Sequence, residues 1–199
     1  SLAELNCPPC SIADCKFYVG NGVREFARQA LPETRRDEKT LSRCVEIMRN
    51  HYARNWANKT APYEGIGEML SGLLRAGLKL TVLSNKPDDF TQLMVSHFFA
   101  DVPFEIVLGA RKGIPHKPDP AGAIEIAERL GLPPRRCLYL GDTNTDMNTA
   151  NGAGMYAVGA LWGFRPAEEL RESGAKVLIK SVGCSMSTLA PLSRSSSAG

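Results

Sequence analysis

Leu138-Tyr139-Leu140-Gly141-Asp142-Thr143-Asn144-Thr145-Asp146-Met147 is where this chain passes from a buried strand into a helix, and the fold is read outward from it. Cys137 to Leu140 is short and apolar, Gly-Asp ends it, and a second carboxylate follows before the helical run Met147 to Ala153. A strand stopping at Gly-Asp sets its carboxylate at the C-terminal edge of a sheet, where open α/β sheets bind ligands. Asp146 faces the same way if the helix starts at Asn144 or Thr145, since residues four apart share a helix face. Two carboxylates beside a crevice suit Mg2+, which takes one or two protein carboxylates and completes its shell with water or substrate phosphate. The plainer alternative makes Asp142 a turn residue and Asp146 a helix N-cap.

On either side of this stretch, strands and helices alternate. A helix from Ile66 through Leu74 stops at Gly77, where glycine suits the left-handed C-cap. The apolar run Leu78 to Leu83 follows, then Ser84-Asn85-Lys86-Pro87, a helix from Asp88 to Phe99, a strand Phe104 to Leu108 and a helix Pro120 to Leu130. Beyond the central stretch come a strand Met155 to Ala160, a helix Pro166 to about Glu172 and a strand Ala175 to Ile179. This order predicts an α/β fold with a largely parallel, Rossmann-like sheet and helices on both faces.

The first third reads differently. Ser1 to Asn6 has the look of a helix end, Ser11 suits a helix cap, and Val23, Phe26, Ala27, Ala30 and Leu31 recur at helical spacing up to Pro32. From Asp37 to about Ala57, Leu41, Val45, Met48, Tyr52 and Trp56 form an apolar stripe with the charged residues outside it. The chain therefore divides into a helical unit at 1–59, an α/β core at 60–180 and a polar, low-complexity tail at 181–199 expected to be disordered.

Composition sets the outer bounds. With 43% hydrophobic and 23% charged residues the chain is an ordinary globular sequence, and its net charge of +3 comes from dispersed residues, which argues against a nucleic-acid partner. No apolar run approaches a membrane span, and a cytoplasmic location is the default expectation. Cys7, Cys10 and Cys15 crowd the start without a histidine nearby, and Cys7-Pro8-Pro9-Cys10 follows no strand, so free thiols are favoured over a zinc or redox site.

Three polar groups follow strands of the same sheet. Ser84 offers a hydroxyl beside backbone N–H groups free to face an anion. Lys117, in His116-Lys117-Pro118-Asp119-Pro120, is an ammonium on a backbone stiffened by prolines, able to balance two carboxylates and a phosphate. Asp142 and Asp146 complete the set. Singly each has a structural explanation; jointly they point to phosphate chemistry.

The order Ser84-Asn85-Lys86, Lys117-Pro118-Asp119-Pro120, Gly141-Asp142-Thr143-Asn144-Thr145-Asp146 resembles motifs two, three and four of the haloacid dehalogenase superfamily of phosphatases. Phe17-Tyr18-Val19-Gly20-Asn21-Gly22-Val23-Arg24 resembles the cap of its phosphoglycolate phosphatase branch, as does Leu161-Trp162-Gly163-Phe164. The resemblance implies Mg2+-dependent hydrolysis of a small phosphorylated metabolite such as 2-phosphoglycolate, with a helical cap closing over the crevice. It further implies that Ser84 and the Asn85 amide hold phosphate oxygens, that Lys117 balances charge, that Asp142 ligates Mg2+ and that Asp146 supports it directly or through water. Gly20, Asn21, Gly22 and Arg24 are the expected cap contacts.

One family element has no counterpart in these residues. The resemblance implies an Asp-x-Asp-x-Thr motif, carrying nucleophile and acid/base, on a central strand ahead of the cap. Its lack predicts a slot between the strands ending at Ser84 and at Asp142, with unpaired groups costing about 1 to 3 kcal/mol each. The expectation is that these 199 residues fold poorly and do not turn over substrate. A phosphate- and Mg2+-binding pseudoenzyme and a sugar phosphate mutase stay open beside the phosphatase; a receiver-like domain fits less well, lacking a helical cap.

Overall fold

The structure is a computed structural model that describes residues 1–20, 22–184 and 189. Five parallel strands, β1 (Leu80–Pro87), β2 (Phe104–Ala110), β3 (Leu138–Gly141), β4 (Tyr156–Ala160) and β5 (Val177–Ile179), form the sheet layer. β1 pairs with β2, and β3, β4 and β5 pair in that order. Every link between consecutive strands carries a helix: α5 (Asp88–Phe98), α6 (Ala121–Leu130), α7 (Asn144–Gly152) and α8 (Ala167–Glu172), with α4 (Ile66–Arg75) leading into β1. Parallel neighbours need such crossovers.

Period-two alternation sends side chains to two cores. Leu138, Leu140, Val158 and Ile179 pack with Leu80 and with Met69, Leu70 and Leu73 of α4 on one face. Tyr139, Ala157 and Leu178 pack on the other with Ala123 and Ala127 of α6, Met147 and Ala150 of α7 and Leu170 of α8. Helices thus cover both faces, as the alternating sequence predicts.

No ladder joins β1 to β3 among the described residues. Between them lies a cavity of about 660 Å3 lined by Leu80, Thr81 and Leu83 on one side and Leu138, Tyr139, Leu140 and Gly141 on the other. This is the slot expected from the sequence. The layer is two half-sheets held together by the helices and by the shared cores rather than by one hydrogen-bonded ladder.

Three helices, α1 (Ile12–Tyr18), α2 (Val23–Ala30) and α3 (Glu38–Asn55), stand over the C-terminal ends of the strands. Ser11 caps α1 by accepting from the Asp14 amide, and Asp37 caps α3 by accepting from the Thr40 amide. Their own core is small: Cys7, Ala27, Leu31, Leu41 and Cys44 are buried together, with Val45 and Met48 against them. Tyr52 and Trp56 leave that stripe and turn to the α/β core, packing edge-on to Phe90 and to Phe98.

Three details depart from the sequence reading. Ser1 to Asn6 holds only a 3-10 turn, Ala3–Leu5, closed by Asn6 in the left-handed region at φ 53°. β1 does not stop at Leu83 but runs through an irregularity to Pro87, which pairs with Ala110, so Ser84, Asn85 and Lys86 belong to a bulged strand end. Pro87 is tolerated there because it lies at the irregularity, beyond the regular ladder. Within the segment expected to be disordered, Val182–Cys184 form a 3-10 turn, and Val182 and Leu189 are buried in the α4 core. Apolar side chains in a polar tail found a place to bury; 185–188 and 190–199 lie outside the described residues.

Candidate active site

The ends of β1 and β3 and the loop after β2 open into a cavity of about 610 Å3 roofed by α1 to α3. Ser84, Asn85, Lys117, Asp142 and Asp146 all line it, as do Gly20 and Gly22. The structure therefore brings together the candidates from all three core motifs. Asn21 lies outside the described residues. Arg24 is not at the cavity: its guanidinium is spent on Glu38 at 2.6 Å on the exposed side of α2 and α3.

Asp142 follows β3 directly. Its Oδ2 accepts the Phe164 amide at 2.9 Å, tying the loop after β4 to the end of β3. The approach is close enough that any side chain at Gly163 would collide with the carboxylate. Burial pushes the Asp142 carboxyl above the usual range; the Phe164 amide pulls against this, and the Asp146 charge adds to it. Asp142 also lines the cavity.

Asp146 is occupied differently. Thr143 caps α7, and Asp146 is the third residue of the helix in a reciprocal capping box. Its Oδ2 accepts from the Thr143 hydroxyl at 2.7 Å and from the Asp142 and Thr143 amides at 3.2 Å. Its Oδ1 pairs with Lys117 Nζ at 2.8 Å. Both oxygens are engaged, and Gly141 is required beside them because a Cβ there would overlap Asp146. The carboxylate that reads as a second metal ligand is thus fixed as the hub of the turn.

Lys117 Nζ also reaches the Leu83 carbonyl at 3.2 Å, so it bridges the end of β1 to the α7 turn. Burial opposes the ammonium, but Tyr139 and Asp146 outweigh it and hold its pKa above the ordinary lysine range. Burial likewise pushes the Tyr139 hydroxyl up to about 12. Lys117 therefore stays a cation at any physiological pH.

Asn85 holds the arrangement together from below. Its amide donates to the carbonyls of Gly20 at 2.7 Å and Lys117 at 2.8 Å, and its oxygen accepts the Lys117 amide at 2.8 Å. One buried side chain thus fixes both the helical roof and the lysine loop. Ser84 Oγ accepts the Lys86 amide at 3.1 Å, leaving its own proton for an anion. Two contributors escaped the sequence reading: the Phe164 amide on Asp142, and Tyr52, whose hydroxyl lies 2.7 Å from Lys86 Nζ. A backbone donor leaves no trace in residue type, and Tyr52 read as one more member of an apolar stripe.

A hydroxyl, a fixed ammonium and a carboxylate thus line one cavity at the C-terminal edge of the strands of an α/β protein, the place where open α/β sheets bind ligands. The sequence model of haloacid dehalogenase-like hydrolases matches residues 1–160, and the chain belongs to that family. A phosphoglycolate phosphatase of Aquifex aeolicus is 32% identical over 147 residues, covering 74% of this chain and 67% of that protein. One from Pseudomonas syringae is 27% identical over 182 residues, covering 89% of this chain and 66% of that protein. The chain thus spans about two thirds of the length of these relatives. Among solved structures, a haloacid dehalogenase-like family hydrolase of Streptococcus pneumoniae aligns with TM-score 0.82 at 18% identity over 94% of this chain and 85% of that one. A β-phosphoglucomutase of Clostridium difficile aligns with TM-score 0.71 at 20% identity over 91% and 80%. These two likenesses concern the fold. No helix among the described residues is long and apolar enough to cross a membrane.

Proposed function

We propose that this chain is the substrate-binding and capping part of a Mg2+-dependent phosphate monoester hydrolase acting on a small phosphorylated acid of the 2-phosphoglycolate type. The observation that carries the reading is the convergence of Ser84, Lys117 and Asp142 on one cavity wall beneath three helices. Two curated relatives named phosphoglycolate phosphatase support the substrate class.

In this reading the Ser84 hydroxyl and the Asn85 backbone amide receive phosphate oxygens, since the Asn85 side-chain amide is engaged by Gly20 and Lys117, and Lys117 offsets their charge. Phosphoryl transfer is catalysed chiefly by such positioning and charge stabilisation. Asp142 would hold the metal, which fits an ion that takes most of its shell from water and phosphate. Asp146, with both oxygens engaged, fixes Lys117 and the Asp142 turn and meets the ion only through water. Bound Mg2+ would supply further neutralisation of the phosphate. No cluster of three or more ligating side chains exists among the described residues, so Asp142 alone does not make a complete metal site.

The only carboxylates on this wall among the described residues are Asp142 and Asp146, so neither nucleophile nor acid/base is assigned. Residues 1–199 are expected to bind phosphate and Mg2+ without hydrolysis. The test is phosphate release from 2-phosphoglycolate by this chain and by a version carrying an apolar strand with Asp-x-Asp-x-Thr ahead of Ser1. Hydrolysis by the extended form alone supports the reading. Binding without hydrolysis in both favours a pseudoenzyme, and isomerisation without phosphate release favours a mutase; absence of any phosphate binding overturns the assignment.

A further inference from the structure

The cations around the cavity are not equivalent. Lys117 is paired with Asp146 at 2.8 Å, and Arg49 with Asp89 at 2.8 Å. Lys86 has no carboxylate partner among the described residues: its Nζ contacts the Tyr52 hydroxyl at 2.7 Å and sits 4.4 Å from the centre of the Tyr52 ring. The Tyr52 hydroxyl donates its own proton to Met94 Sδ at 3.1 Å, so its lone pairs face the ammonium. Phe90 packs edge-on against the same ring at 5.0 Å and fixes it. An ammonium has three donors, and this one is held by one bond and a ring face. The remaining donors belong to a lysine that lines the cavity.

Position gives this charge its meaning. Lys86 lies two residues beyond Ser84 on β1, at most about 7 Å along the chain. Much of the cavity lining is apolar: Tyr18, Phe26 and Met48 from the roof, and Phe90 and Phe164 from the α/β core. A lone cation on such a wall, one short step from the phosphate-receiving hydroxyl, is suited to a second negative group on a short substrate.

Resting on the reading of Ser84 and Lys117 as the phosphate subsite, we infer that Lys86, positioned by Tyr52, is the specificity residue that binds the carboxylate of a phosphorylated acid. It selects carboxylate-bearing substrates over phosphate esters of the same length that lack a carboxylate. Because Tyr52 comes from α3 and Lys86 from β1, the roof and the sheet edge must be in register for the carboxylate to be read.

The experiment is calorimetric titration of the 199-residue chain with 2-phosphoglycolate, 2-hydroxyethyl phosphate and inorganic phosphate, on the parent chain and on Lys86→Met, Lys86→Arg and Tyr52→Phe. The parent should bind 2-phosphoglycolate more tightly than 2-hydroxyethyl phosphate. Lys86→Met should weaken 2-phosphoglycolate by about tenfold or more, the scale of a charge-assisted hydrogen bond, and weaken 2-hydroxyethyl phosphate, which lacks the carboxylate, much less. Lys86→Arg should retain part of the preference, and Tyr52→Phe should reduce it with phosphate binding intact. Equal weakening of both esters by Lys86→Met, or a parent with no preference, overturns the inference while phosphate binding upholds the subsite. A parent that binds none of the three ligands overturns the subsite reading itself, and this inference with it. Urea midpoints for each variant separate loss of binding from loss of fold.

Discussion

Asp146 Oδ1 lies 2.8 Å from Lys117 Nζ, and the same carboxylate caps the first turn of α7 through its other oxygen. The pair is largely buried, with side-chain exposures of 13% and 9%, so neither charge can turn to solvent if its partner is removed. Breaking a buried pair from one side costs about 3 to 5 kcal/mol. Asp146→Asn should therefore lose a large share of the stability, while Thr143→Ala, which removes the cap hydroxyl but leaves the pair, should cost about 1 kcal/mol. Urea unfolding of the two variants gives the comparison; equal losses would show that Asp146 acts as a cap and not as the lysine's counter-charge.

Asn85 supports a second prediction. Its side chain makes three hydrogen bonds that join the roof loop at Gly20 to the lysine loop. At about 1 kcal/mol each, Asn85→Ala should cost about 3 kcal/mol and loosen both loops. Limited proteolysis should show faster cleavage near Phe17 to Gly22 in the variant. Unchanged cleavage there would mean that other contacts, such as the His116 ring against Gly22, hold the roof unaided.

These two residues also show where the sequence stops being legible. The order of strands and helices follows from apolar period and turn residues, and the bounds of α2 to α7 lie within a few residues of those read from the chain. The site was found because a hydroxyl, a lysine and a carboxylate each follow a strand. What those side chains bind was hidden, because hydrogen-bond partners are settled by loops meeting in space. Asp146 reads either as a support for the metal, direct or through water, or as a helix cap; one of its oxygens caps α7 and the other pairs with Lys117. Arg24, expected at the substrate, does not line the cavity although its neighbours Gly22 and Val23 do, and it pairs with Glu38, fourteen positions on, which no local pattern announces.

Glu125 carries the pH dependence that can be derived without reference to a bound ion. Its carboxylate meets Arg111 at 2.6 Å, the residue after β2, and Arg129 on its own helix. The Arg111 guanidinium, chiefly by its hydrogen bond, holds the Glu125 carboxyl below its ordinary value of 4.5. A depressed folded-state value means that the unfolded chain binds the proton first. Stability from this group is thus present above pH 4.5 and is lost as pH falls toward the depressed value. Glu125→Gln should lower stability at neutral pH and flatten the acid limb below pH 4.5. Denaturation midpoints between pH 3 and pH 7, roughly the span of ordinary carboxylate titration, supply the check, and parallel curves for the two proteins would refute it.

The slot between β1 and β3 leads to the last expectation. Along a parallel strand, backbone groups point alternately to the two neighbours, so each of these strands has one row directed at β2 or β4 and one at the cavity. Among the described residues the inward row has no ladder, although Leu80, Leu83, Leu138 and Leu140 give the cavity an apolar lining. Buried groups without partners cost about 1 to 3 kcal/mol each, a burden that several of them raise to the scale of a whole domain's stability of about 5 to 15 kcal/mol. Hydrogen exchange should therefore split within single strands: amides of Thr81 to Leu83 and Leu138 to Gly141 that face the slot exchange fast, and those in the ladders slowly. In the version carrying an added apolar strand the fast set should become protected and the unfolding midpoint should rise. Uniform protection across both strands in the 199-residue chain would show that the half-sheets close on each other in solution, and the added strand would then bring no gain.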